Sequence, residues 1–352
     1  MPGLGASGSK FQISTGWRYS HAHQSYFDSR VNHDFDRSWR PQEKLSVLDV
    51  SARYRINRRL STTLTVPIVF NSFSMLTPPL GDGRGLRRGW RGQGLGDISL
   101  YTDSWLLDPS EHPFGNFSLG VGIKIPTGNW NQKAVIPDET GRNFIRRAVY
   151  PAAIQPGDGG TGIIVGFNTF KILRSPTIFR GHTLFASGSY LINARNRNGT
   201  GSIVRELGVP LNAAFLGETT NSVTDSYNLQ GGVALQIPRT WDKKYFKNLR
   251  FRITGNWQGV PSHDLIGGSK GYRQPGWGAS IGPGMTYGLG NNFWIVDVPI
   301  VVAGHIDGNR SAIPGLPVVG PGGAVSAATF NPNRNLGMMP RVAVAIRYVR
   351  SF

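Results

Sequence analysis

A period-two alternation of apolar and polar residues runs through most of the chain and constrains its fold more than any other feature. Leu48, Val50 and Ala52 alternate with Asp49 and Ser51, and similar runs recur along the sequence. Successive side chains of a β-strand point to opposite faces, so the pattern predicts strands with one apolar and one polar face. Helical periodicity is almost absent, and the sequence therefore predicts an all-β protein.

The alternating segments are also long. They run for about ten to thirteen residues, whereas strands of soluble sheets usually have about five or six. A tilted strand needs roughly 9–11 residues to cross the hydrocarbon core of a bilayer. The sequence predicts twelve strands of the longer kind, near residues 11–21, 45–57, 60–71, 95–107, 115–127, 160–172, 181–192, 225–237, 249–258, 276–288, 292–304 and 338–352.

The connections between the predicted strands alternate between short and long, and outer-membrane barrels have this asymmetry. Five short and six long connections fit twelve strands whose two ends lie on the short-turn side. We therefore predict one transmembrane antiparallel β-barrel domain over residues 1–352, with an N-terminal tail at 1–10 and both termini in the periplasm. Long outer loops are predicted near residues 22–44, 72–94, 128–159, 193–224, 259–275 and 305–337.

Aromatic residues fit the same arrangement. Trp277 and Tyr287 share one face of a predicted strand, and their spacing corresponds to about 25 Å across the membrane, the height between two aromatic girdles. The chain ends in an alternating strand that closes on Phe352, which resembles the C-terminal signal that barrel-assembly machinery reads in bacterial outer-membrane proteins. Arg350 departs from that signal, because an apolar residue or Tyr usually stands there.

The composition excludes several other classes of protein. Charged residues make up only 16% of the chain, against roughly 25% in a usual soluble domain, and cysteine is absent. Without cysteine there is no disulfide framework and no thiolate metal site. No run approaches 18 consecutive apolar residues, so no transmembrane helix is predicted. The first residues lack the basic start and apolar stretch of a signal peptide, and we expect a processed or truncated form of an outer-membrane protein of a Gram-negative bacterium.

The net charge of +18 raises the alternative of nucleic-acid binding. Nucleic-acid binders usually concentrate basic residues in a helix or patch beside a compact fold. Here the basic residues lie mainly in predicted loops and on one face of predicted strands. We therefore expect no nucleic-acid partner.

Two short motifs carry a resemblance to a known family. Residues 93–100 read QGLGDISL before one predicted strand, and residues 120–128 read GVGIKIPTG at the end of the next. Together they resemble the signature of the outer-membrane family of MetA-pathway phenol degradation proteins, whose members are described as transporters. Residues 282–284, 287–289 and 298–299 loosely fit the C-terminal half of that family. The resemblance implies a barrel that passes small, often apolar or aromatic compounds.

With the apolar face toward lipid, the opposite face of each strand lines the lumen, where charge tunes solute selectivity. Eight cations against four acids leave an excess of about four positive charges, which favours anions. Inward glycines, such as Gly120 and Gly122, provide either room inside the barrel or bends in its wall. The predicted lumen residues are Arg18, Arg53, Arg55, Lys124, Arg250, Arg252, Arg341, Arg347, Asp49, Asp97, Asp103 and Asp297.

Basic residues also cluster in the predicted outer loops. One cluster comprises Arg84, Arg87, Arg88 and Arg91, and loop 128–159 carries three further arginines. Such clusters either gather anionic solutes at the mouth or bind the phosphates of outer-leaflet lipopolysaccharide. Of these two, the sequence favours the lipopolysaccharide.

The sequence predicts an outer-membrane channel for passive or facilitated diffusion of small solutes, hydrophobic or aromatic by resemblance and anionic by lumen charge. The main alternative is a structural or adhesive barrel with a blocked lumen, whose loops bind a partner. A third hypothesis is a barrel enzyme that acts on lipid, which needs a nucleophile and a base within hydrogen-bonding distance of each other. Ser187 and Ser189 alternate onto the face opposite His182, and no catalytic, metal or cofactor motif is found. We expect no enzyme and no cofactor.

Overall fold

The computed structural model describes residues 9–33, 36–37, 40–77, 86–137, 144–148, 152–174, 181–202, 218–236, 248–307, 318–319, 325–326 and 336–352. Within these residues the chain forms a closed antiparallel barrel of twelve strands. Two of the strands are interrupted. The strands are β1 (Phe11–Ala22), β2 (Gln42–Arg55), β3 (Leu60–Thr77), β4 (Leu86–Leu95 and Ile98–Trp105), β5 (Gly115–Ile125), β6 (Gly162–Ile172), β7 (Thr183–Asn193), β8 (Ser226–Gln236), β9 (Leu249–Val260), β10 (Gly276–Leu289), β11 (Asn292–Asp297 and Ile300–Ile306) and β12 (Ala343–Ser351).

Each strand pairs with the one before and the one after it in sequence, and β12 closes the barrel by pairing with β1. The closing register sets Gly16 opposite Arg347 and Gln12 opposite Ser351. The predicted all-β fold and the number of strands are confirmed. Among the described residues, no helix is long and apolar enough to cross a membrane.

The outer surface of the wall is apolar and its inner surface is polar, as the alternation predicts. On β5, Val121 is 57% exposed on the outer side, whereas Ser118, on the opposite face, is fully buried. Such an inverted arrangement suits a barrel in lipid, since a soluble β-sandwich buries its apolar face instead.

Aromatic side chains form two groups on the outer surface, one near each end of the barrel. At the long-loop end, the rings of Tyr227 and Trp257 are 5.0 Å apart. At the short-turn end, Trp294 lies between two tyrosines of the neighbouring strands, with ring centroids 5.8 and 5.4 Å away. The two tyrosines are Tyr287 and Tyr348.

One predicted loop is largely sheet. Residues 72–77 and 86–94, expected in the outer loop near 72–94, belong instead to β3 and β4, which pair in a continuous register from Ile68–Leu95 to Thr77–Leu86. The Gly- and Arg-rich sequence of this part of β4 indicated a loop. Above the membrane the hairpin is surrounded by water, so its outward side chains need not be apolar. Hydrogen bonds between the two backbones hold it together, and polar residues can therefore continue the strand.

The last two predicted strands also differ in detail. β11 is interrupted at 298–299, because Pro299 has no amide hydrogen to donate to the ladder. β12 starts at Ala343 rather than at 338, and Leu336–Met338 pairs with Ser25–Phe27 instead. Four of the five remaining predicted loops, all but the one near 259–275, contain short pairs of strands: Ser25–Phe27 with Arg30–Val31, Lys133–Pro137 with Phe144–Ala148, Arg197–Gly201 with Thr220–Ser222, and Val318–Val319 with Val325–Ser326.

Candidate functional site

Charged residues line the inner wall, and each of the four acids predicted to face the lumen lies beside one of the predicted cations. Oppositely charged groups at such distances attract each other, so four of the eight predicted cations are compensated locally. The pairs are Arg18–Asp49 at 2.9 Å, Arg53–Asp103 at 2.9 Å, Lys124–Asp97 at 3.6 Å and Arg252–Asp297 at 3.1 Å.

The partners of these four pairs lie on adjacent or next-neighbouring strands. Arg53 on β2 reaches over β3 to Asp103 on β4, and Arg252 on β9 reaches over β10 to Asp297 on β11. The other two pairs join adjacent strands. All four therefore run along the wall and do not connect opposite sides of the barrel.

The remaining predicted cations form no ion pair with an acid among the described residues. No described acid lies within ion-pair distance of Arg55, Arg250 or Arg347. Arg341 donates from Nε to Gln24 Oε1 at 2.7 Å, near the long-loop end. Arg347 is exposed although it faces inward, and the inward Arg18 side chain keeps 61% of its surface exposed. Solvent therefore reaches the inner wall at β12 and β1.

A segment of the loop after β5 turns toward this inner wall. It includes a short 3-10 turn at Ala152–Ile154, and Ile154 is completely buried. Its side chain lies in an apolar cluster with Phe73 and Trp90, which point inward from β3 and β4, and Met338 packs against that cluster. Residues 152–160, called here the inward segment, lie in the region where the sequence predicts an outer loop near 128–159. The inward segment covers the inner wall at β3 and β4.

Polar contacts fix the inward segment to the wall. Asp97 accepts hydrogen bonds from the backbone amides of Gly128 at 2.9 Å and Asp158 at 3.2 Å. Lys124 forms ion pairs with both Asp97 and Asp158. These four residues, called here the latch cluster, join the two motifs that carry the family resemblance, because Asp97 belongs to the first and Lys124 and Gly128 to the second. The motifs thus meet at the base of the inward segment.

The inward segment is also tied to the loop between β7 and β8. Arg195 donates to the carbonyl of Gly159 at 2.6 Å, and Asn198 donates to the carbonyl of Asp158 at 3.1 Å. That loop is in turn held by the loop between β9 and β10, since Asp264 accepts the amide of Asp225 at 2.9 Å. Three long loops therefore form one connected structure at this end of the barrel.

The inward glycines of β5 hold an aromatic ring rather than open space. A side chain at Gly120 would overlap the hydroxyl group of Tyr101, which faces inward from β4, and Gly166 on β6 lies against that same hydroxyl group. A side chain at Gly122 would overlap the carbonyl of Leu100 and crowd the Tyr101 ring. The interpretation of Gly120 and Gly122 as room in the lumen is therefore wrong. Their missing side chains let the Tyr101 ring lie against the wall.

The predicted outer-loop basic cluster is divided. Arg87 and Arg91 are exposed on β4, where Arg87 donates to Ser74 Oγ at 3.0 Å and to the carbonyl of Arg40 at 3.1 Å. Arg84 lies outside the described residues, and the backbone of Arg88 lies in β4. The three described members of the cluster, Arg87, Arg88 and Arg91, therefore lie on a strand rather than in a loop. Of the three arginines in loop 128–159, Arg142 lies outside the described residues, and Arg146 and Arg147 belong to Phe144–Ala148.

Sequence reasoning missed Ile154 and Asp158, the residues that bring the loop inward. Ile154 follows two alanines in a loop without alternation, so the sequence offered no signal that it is buried. Asp158 stands in a glycine-rich stretch typical of a solvent-exposed turn. A signal was nevertheless present in the two motifs, because Asp97 and Lys124 are oppositely charged residues at the same end of adjacent predicted strands.

A closed barrel of twelve long strands, apolar outside and charged inside, defines the class of outer-membrane β-barrels. The structure of an outer-membrane channel from Pseudomonas putida F1 is similar, with 12% sequence identity and a TM-score of 0.56, over 100% of this chain and 99% of that chain. This likeness establishes the fold. No protein-family model and no curated protein sequence matches the chain.

Two further structures are similar with lower scores. The β domain of a Bordetella autotransporter has 9% identity and a TM-score of 0.42, over 96% of this chain and 99% of that chain. The toluene transporter TodX from Pseudomonas putida has 8% identity and a TM-score of 0.43, over 98% and 90%.

Proposed function

We propose that this protein is an outer-membrane channel for the passive or facilitated diffusion of small solutes. The main support for the proposal is that the ion pairs of the inner wall join neighbouring strands rather than opposite sides of the barrel. A barrel that serves only as a scaffold can close its lumen with ion pairs between opposite walls, whereas all four pairs described here run along the wall. Arg18 and Arg347 are exposed on the same inner surface, which supports a hydrated passage beside β12 and β1.

The charge of the passage favours anionic solutes. Arg55, Arg250 and Arg347 face inward without a described acid at ion-pair distance, so their positive charge acts on solutes in the bore. The resemblance of residues 93–100 and 120–128 to the MetA-pathway phenol degradation family favours aromatic compounds. An aromatic carboxylate satisfies both requirements, and we propose this chemical class as the solute.

The inward segment favours a gated passage over a permanently wide one. It narrows the side of the bore formed by β3 and β4, where Ile154 is buried against Phe73 and Trp90. The same observation supports the second candidate function, a structural or adhesive barrel whose lumen is blocked and whose long loops bind a partner. If the protein is a channel, the inward segment either moves or leaves part of the bore open. If the protein is a structural or adhesive barrel, the inward segment seals the lumen.

We further propose that the short turns face the periplasm. Both ends of the barrel sequence lie at the short-turn end, where the amide of Phe352 donates to the carbonyl of Phe11 at 2.8 Å. Phe352 is 55% exposed there, so its ring is accessible to assembly machinery in the periplasm.

The test is single-channel conductance of the purified protein in a planar bilayer, with the reversal potential recorded under a salt gradient. A channel gives discrete conductance steps and a reversal potential that shows anion preference. Addition of benzoate on one side should produce a benzoate current or a block of the chloride current. A folded barrel that gives no steps and no benzoate flux in liposomes would contradict the channel and favour the structural role.

A further inference from the structure

A cationic cleft lies on the outer surface of the barrel, at the edge of its apolar band. Four residues form one lateral row across β1 to β4: His21 pairs with Lys44, Lys44 with Ser72, and Ser72 with Arg91. Their position in the alternation turns them outward, on the same side as the exposed Phe70 of β3. Lys44 and Arg91 are exposed, and no described acid lies within ion-pair distance of either.

The row lies directly above the apolar surface. The row two residues below on the same face holds Tyr19, Ser46, Phe70 and Gln93, and the next one holds Trp17, Leu48, Ile68 and Leu95. Trp17 stacks on Tyr19 with ring centroids 5.7 Å apart, so the apolar surface begins with these two aromatic residues and Phe70. Two residues along a tilted strand correspond to about 5 Å of height. Groups bound in the row would therefore lie just above the hydrocarbon region, at the level of lipid headgroups.

The surface between the two cations is concave. A cleft of about 290 Å³ is lined by Gln42, Lys44, Ser72, Phe73, Ser74, Gly89, Trp90 and Arg91. Lys44 and Arg91 flank β3 at a backbone separation of about 10 Å, which two long side chains can span onto one group between them. Ser72 and Ser74 line the cleft, where the Ser74 hydroxyl accepts a hydrogen bond from Arg87 at 3.0 Å and keeps its own hydrogen to donate, and Gly89 leaves the cleft floor free of a side chain.

We propose that this cleft binds a phosphate group of the phosphorylated glycolipid in the outer leaflet. Lys44 and Arg91 supply charge-assisted hydrogen bonds, the two serines supply neutral donors, and Phe70 lies where the acyl chains begin. A free sulfate or phosphate ion makes no contact with the apolar band below the cleft, whereas the acyl chains of a lipid do. We therefore assign the site to a lipid phosphate. The proposal rests on the outer-membrane location of the proposed function but not on transport.

The test uses the full-length protein in detergent, with binding measured by native mass spectrometry. The probes are bisphosphorylated lipid A, enzymatically dephosphorylated lipid A and inorganic phosphate. The double variant Lys44→Gln/Arg91→Gln should bind bisphosphorylated lipid A at least about tenfold more weakly than the wild type, because two charged hydrogen-bond donors are lost. The matched control is Lys171→Gln/Arg350→Gln, which removes the same charge from the short-turn end and should bind as the wild type does.

A second variant fills the cleft without changing its charge. A Cβ at Gly89 would lie at an ordinary 3.6 Å from Ser74 Cβ, so Gly89→Leu should fold, and it should still weaken the binding of lipid A. Equal binding by the wild type and both cleft variants would overturn the proposal. Equal binding of dephosphorylated lipid A, or inorganic phosphate binding as tightly as lipid A, would overturn the assignment to a lipid phosphate. Failure of the conductance test would leave this result unaffected.

Discussion

Arg53 on β2 donates to Asp103 on β4 at 2.9 Å, and the Asp103 side chain is only 2% exposed although it lies on the inner wall of a barrel. The contact spans β3, so it ties together three consecutive strands near the short-turn end. A carboxylate buried to this degree is stable only while its partner is present.

Replacement of Arg53 by Met should therefore destabilise the barrel by about 1–3 kcal/mol, since it leaves a buried charge without its partner and the arginine is partly hydrated in the wild type. The measurement is the free energy of unfolding in urea from lipid vesicles. In the double variant Arg53→Met/Asp103→Leu, no unpaired charge remains, and most of the lost stability should return. If the single variant unfolds at the wild-type urea concentration, the ion pair contributes nothing.

Replacement of Ile154 by Ala should loosen the inward segment. The fully buried side chain loses about 2–4 kcal/mol of packing against Phe73 and Trp90, which shifts the segment away from the wall. We expect larger or more frequent conductance steps in planar bilayers. The matched control is Ile163→Ala, which makes the same change at an outward residue that is 50% exposed. Indistinguishable recordings for the two variants would mean that the segment does not limit the current.

Replacement of Gly92 by Ala should displace the same segment from the opposite side of the contact. A methyl group at Gly92 would overlap the backbone carbonyl of Ile154, so the segment has to move. The expected conductance change therefore has the same sign as that of Ile154→Ala. Gly231→Ala is the control, because its new methyl group would lie 3.6 Å from the nearest atom. An unchanged conductance in the Gly92 variant would contradict the described seating of Ile154.

Replacement of Arg347 by Gln should reduce anion preference. The arginine is exposed in the bore and has no described acid at ion-pair distance, so its charge acts directly on passing ions. We expect the chloride-to-potassium permeability ratio to fall by up to about fivefold, since a unit charge 4 Å from an ion in water contributes about 1 kcal/mol. Reversal potentials in a salt gradient measure this ratio. Lys171→Gln, on the outer surface, should leave it unchanged, and an unchanged ratio in the Arg347 variant would show that this arginine does not face the conducting path.

For the strands that alternate clearly, the side of the wall on which each side chain lies could be predicted from the sequence, whereas β6 and β7 alternate poorly and their facing stayed ambiguous. Successive Cβ atoms of a strand point to opposite sides, so the alternation around Val121 and Lys124 placed one toward lipid and the other toward the lumen without knowledge of the neighbouring strands. The lengths of the segments and of their connections likewise gave twelve strands and an all-β barrel. Side-chain facing and strand length depend only on residues close together in sequence, so local sequence patterns are enough to predict them.

The candidate site depended on contacts that no local pattern specifies. Asp97 and Lys124 were predicted as separate lumen charges, but the structure joins them through Asp158, which is more than thirty residues further along the chain than Lys124. The lateral row of Lys44 and Arg91 exists only because the register of β2, β3 and β4 aligns them. The sequence by itself determined which face of each clearly alternating strand meets lipid, because that follows from backbone geometry. Only the tertiary structure decided that the loop after β5 folds inward, because the free energy of burying Ile154 comes from residues that are distant in sequence.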